Sequence, residues 1–85
     1  MADVDRVIRG IPAWLMGEYL QELGGVAQGN GRFTGPDWVA HVTQIEDFHL
    51  GSLHIGQIHF VLQGTDAATT ALQKKLEVKL LRGGG

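Results

Sequence analysis

The alternation of apolar and polar positions already sorts the chain into strands and helices. Around DRVIRG, Val4, Val7 and Ile8 stand against Asp5, Arg6 and Arg9, which predicts a short strand without fixing its register. IPAWLMGEYLQELGG then places Leu15, Met16, Tyr19, Leu20 and Leu23 at helical spacing. Pro12 suits the first helical position and Gly24-Gly25 supplies a left-handed stop. In VAQGNGRF, the Asn30-Gly31 pair predicts a two-residue hairpin, because both central positions need positive φ, and Gly35-Pro36-Asp37 turns the chain again. WVAHVTQIEDF and SLHIGQIHFVLQG are long runs rich in β-branched and aromatic residues, expected to pair as a hairpin turning near His49 to Ser52. In the second run Leu53 and Ile55 have one parity and Ile58, Phe60 and Leu62 the other. A bulge at Gly56 would keep both sets on the core face.

After Gly64 the period changes. TDAATTALQKKLEVKLL offers Thr65 or Asp66 as a cap and Ala68, Leu72, Leu76 and Leu80 as a stripe of helical spacing. The order strand, helix, four strands, helix predicts an α+β two-layer domain, an antiparallel sheet with two helices on one face. No linker, repeat or shift in composition divides the chain, so residues 1–85 are expected to form a single domain, with residues 83–85 as a glycine tail.

Size changes this picture in one respect. A domain of 85 residues buries only about 60–65% of its unfolded surface, which favours a self-associating protein, and a homo-oligomer is expected. The absence of cysteine excludes a disulfide framework, a thiolate zinc site and a cysteine nucleophile. MADVDRVIRG has acids and arginines where a signal peptide needs an apolar run, and no stretch approaches a membrane span. A cytoplasmic protein that does not engage membranes is expected. A formal net charge of −2 argues against nucleic-acid binding, which needs a basic footprint to neutralise phosphates. Four of the seven basic residues, Lys74, Lys75, Lys79 and Arg82, nevertheless gather in the last dozen positions.

Few residues suggest chemistry. With the hairpin turning near His49 to Ser52, His41 and His59 would lie across from one another on the helix-free face, and His54 can share it. Imidazoles so grouped can bind zinc, copper or nickel, although exposed strand histidines are equally a polar sheet face. Ser52, the sole serine, lacks a GxSxG frame; Glu46 and Asp47, adjacent on a strand, point to opposite faces; neither Gly24-Gly25 nor GNG has the strand-loop-helix frame of a phosphate cradle. No catalytic residue, no enzyme and no cofactor are expected. Trp14, at the edge of the first helical stripe, and Trp38, opening a strand after a turn, are core anchors or, where exposed, interface candidates. Lys75 and Lys79 on the basic end are further interface candidates.

IPAWLMGEYLQELGG, the DFHLGSLHIGQIHF stretch and the terminal RGGG together resemble the small domain at the C-terminus of MoaD-related proteins, where it follows a ubiquitin-like sulfur-carrier domain. The resemblance runs from about Val4 to Gly85. It implies a TATA-binding-protein-like β-α-β4-α fold and an association with molybdopterin cofactor biosynthesis and sulfur transfer, with a MoaD-type protein as a possible partner. The ubiquitin-like domain itself has no counterpart in these residues. Two readings of Arg82, Gly83, Gly84 and Gly85 follow. As a sulfur carrier or conjugated protein, the chain would be activated at its glycine carboxylate, glycines being needed to thread a narrow channel. As an accessory or interaction domain, it would use the glycines as an ordinary helix cap or docking tail, with Lys79 and Arg82 complementing the helix dipole.

Overall fold

The computed structural model describes residues 2–83. Its elements are β1 (Ala2–Arg9), α1 (Ala13–Glu22), β2 (Val26–Gly29), β3 (Arg32–Gly35), β4 (Trp38–Leu50), β5 (Leu53–Gly64) and α2 (Asp66–Gly83). The strands form one antiparallel sheet in the order β1-β5-β4-β3-β2. This is the α+β arrangement expected, with both helices on one face. Alternation along the strands sends Ala40, Val42, Ile58, Phe60 and Leu62 to the helix side, where they close a core with Ile11, Met16, Leu20, Leu72 and Leu76. Asp5, Val7, His59, Val61, Val39 and His41 take the opposite parity and line the open face.

Local chemistry accounts for the boundaries. Pro12 is the N-cap of α1, one position before the helix begins, and has no side chain to cap it. A side chain from β4 takes that role: Gln44 Oε1 accepts the Ala13 N–H at 3.0 Å, while its Nε2 donates to the Gln57 carbonyl. Gly24, at φ 101°, ends the helix in the left-handed region. Asn30 and Gly31 have φ of 54° and 77°, the pair of positive values that a type I′ hairpin turn requires. Thr65 caps α2 by accepting the Ala68 N–H on its Oγ1 at 3.1 Å. Thr65→Ala is expected to cost about 1 kcal/mol, read as a lowered urea midpoint with an unchanged slope.

One expectation is corrected in the β4–β5 hairpin. The irregularity lies on β4, between Ile45 and Phe48, and not at Gly56 of β5. The extra residue there shifts β4 by one, so Phe48 pairs with Ile55, His49 with His54 and Leu50 with Leu53. Because β5 keeps its alternation, Leu53 and Ile55 fall on the open face while Ile58, Phe60 and Leu62 stay on the core face. Leu50 and Leu53 stand out at the tip, 63% and 55% exposed.

Candidate functional site

The sheet has two edges, and they differ. β2 is four residues long, with a register irregularity between Ala27 and Gly29 that blunts it for pairing. β1 is eight residues long and pairs with β5 without interruption from Ala2↔Gly64 to Arg9↔Gln57. The Gly10 N–H donates to the Gly56 carbonyl at 2.8 Å in the same register. Even-numbered residues of β1 therefore turn their peptide groups toward β5, and Asp3, Asp5, Val7 and Arg9 turn theirs outward. The same four residues project their side chains from the open face. Asp5 Oδ1 lies 2.6 Å from His59 Nε2. The Arg9 guanidinium sits 3.9 Å from the centroid of the Phe48 ring while its Nε donates to Gln57 Oε1 at 2.9 Å. Val7 between them is 54% exposed.

A second feature lies on the helix side. A cleft of about 420 Å³ opens between α1 and the β2–β3 hairpin, floored by Phe33 and Val42 and walled by Trp14. Phe33 fits there because residue 17 is glycine: a methyl at Gly17 would come within 2.8 Å of the ring. Trp14 is 67% exposed, as an interface residue would be. Trp38 is not: at 5% exposure it packs into the core against Gly35 and Gly25, the core-anchor alternative for this residue and not an exposed interface position. Alternation along β4 decides this, since Trp38 shares its parity with the core residues Ala40 and Val42. Lys75 is exposed, whereas Lys79 is half-buried, paired with Glu22 and lying 5.6 Å from the centroid of the Tyr19 ring. Lys79 thus ties α2 to α1.

The histidines separate. His41 and His59 share the open face, with His41 opposite Val61 and His59 opposite Thr43. His54 falls on the other face, beside His49, because β5 runs without a bulge. Among the described residues no group of three or more His, Cys, Asp or Glu side chains is placed to hold a metal. Arg82 and Gly83 belong to α2, so the glycine run is helical at its first position; Gly84 and Gly85 lie outside the described residues.

The family model of archaeal MoaD-like proteins matches residues 4–85, nearly the whole chain. The chain belongs to the archaeal MoaD-like protein family. No curated protein matches it. The match begins within β1 and runs on through α2, so it takes in both layers. Among the described residues no helix is long and apolar enough to cross a membrane.

Proposed function

We propose that this MoaD-like chain is a non-catalytic accessory domain of cytoplasmic, molybdopterin-linked sulfur transfer that works as a homo-oligomer, pairing edge to edge through β1. One observation carries the reading. The outward row of β1 is self-complementary: with Val7 on a two-fold axis, Val7 meets Val7 of a second copy, and Asp5 and Arg9 each meet the other's opposite charge. These are the residues whose peptide groups point outward, so the Val7–Val7 rung and the two Asp5–Arg9 rungs gain backbone hydrogen bonds as well as a favourable cross-strand pair. Two five-stranded sheets become one, and the helix-side surface, with Trp14 and Lys75, stays available to a sulfur-transfer or MoaD-type partner.

The test is sedimentation over a concentration series. Val7→Pro is expected to leave the monomer folded, since the Val7 N–H does not serve β5, and to abolish the dimer by removing a central donor. Arg9→Asp is expected to weaken association roughly ten- to hundredfold, from two favourable pairs made repulsive. Asp5→Arg combined with Arg9→Asp restores the pairing. A wild-type chain that stays monomeric, or a dimer indifferent to Val7→Pro, overturns the proposal.

A further inference from the structure

We infer that His49 and His54, near the tip of the β4–β5 hairpin, form a two-imidazole chelate for a divalent d-block cation, copper(II) or nickel(II) before zinc. The two residues are directly opposite in register. Their neighbours Leu50 and Leu53 close the two-residue Gly51-Ser52 loop, which makes Leu50–Leu53 the hydrogen-bonded rung and His49–His54 the non-hydrogen-bonded one. In a rung of that kind the side chains stand closest, and the ring centroids are indeed 4.2 Å apart with the planes tilted by 56°.

That separation suits chelation. An ion held about 2.0 Å from one nitrogen of each ring needs those nitrogens about 3 Å apart when the ligands are adjacent in a tetragonal site. Rings with centroids at 4.2 Å reach this by rotation about side-chain bonds alone, with the backbone held by the ladder on either side. Both side chains are exposed, so an ion reaches them from solvent. Two imidazoles leave the other coordination positions to water, and nitrogen ligands with open tetragonal positions favour copper(II) and nickel(II). The second imidazole binds intramolecularly once the first has bound, which is the source of the affinity.

The site is independent of β1, so its failure and that of the edge pairing are read separately. The probe is copper(II) added in substoichiometric amounts to the full chain, followed by paramagnetic broadening of amide resonances and by titration calorimetry. Broadening centred on Phe48 to Ile55 is expected, with affinity falling about a hundredfold in His49→Asn or His54→Asn. His41→Asn and His59→Asn are expected to leave it unchanged. Broadening centred on His41, His59 or the amino terminus, affinity retained in either tip variant, or no broadening of the tip at all overturns the assignment.

Discussion

Gly31→Ala is expected to lower stability by about 2–4 kcal/mol, one of the two largest single-site effects in the molecule. Two costs add at this position. Its φ of 77° is in the left-handed region, where a Cβ meets its own backbone. The methyl would also run into the Val42 carbonyl oxygen, a backbone atom that cannot swing away. Moving the β2–β3 turn to make room breaks the bond by which the Gly31 carbonyl accepts the Val42 N–H at 2.8 Å. Gly51→Ala separates the two costs. Gly51 has a φ of 60°, but a methyl there would meet nothing within 4 Å, so only the conformational cost of about 1 kcal/mol applies. Thermal unfolding of both variants checks the argument: the melting point of Gly31→Ala should fall by roughly 10–25 °C and that of Gly51→Ala by about 4–8 °C. Equal losses would mean that β4 yields to the methyl.

Phe60→Ala is the second. Phe60 is 1% exposed on β5, in register with Arg6 of β1 on one side and Val42 of β4 on the other, and it belongs to the core that both helices cover. Truncation removes its transfer free energy and leaves a cavity whose walls belong to several elements, a loss of about 3–5 kcal/mol. A domain of this size has only about 4–13 kcal/mol in total, so the variant should be partly unfolded at physiological temperature. Val61→Ala, one residue along and on the open face, is expected to cost about 1 kcal/mol. Urea titrations of the pair measure the difference. A loss below about 1.5 kcal/mol for Phe60→Ala would place the core elsewhere.

The fold was legible where local chemistry and periodicity agree. Pro12 and Gly24 bound α1 within a residue of the expected limits, and Asn30-Gly31 forms its hairpin because both residues accept positive φ at low cost. The face of Phe60 followed from alternation alone. The hairpin was harder, because the apolar residues of β5 change parity after Ile55. Two structures fit that sequence: a bulge in β5 at Gly56, or a strand that keeps its alternation and lets Leu53 and Ile55 face the open side. The second holds because the extra residue is taken up on β4, next to Glu46 and Asp47, whose exposed side chains lose little from an irregular backbone. Everything at the tip inherits that choice. His54 moves to the face away from His41 and His59, and His49, assigned by sequence to a turn, becomes its partner. The free edge of β1 was equally hidden, since DRVIRG shows alternation but not which peptide groups point outward. Only pairing with β5 decides that.

The position of β1 also bears on how the molecule assembles. β4 and β5 meet through a two-residue loop, whereas β1 closes on β5 across long stretches of chain; Asp5 and His59 are 54 residues apart. Contacts of that separation carry a large loop-closure entropy, so β1 is expected to dock on a hairpin already in place. Until it does, β5 presents a bare edge shaped for a β1 strand and indifferent to which copy supplies it. At high concentration a neighbouring molecule competes for that vacancy, and strand exchange between copies becomes the characteristic error of refolding.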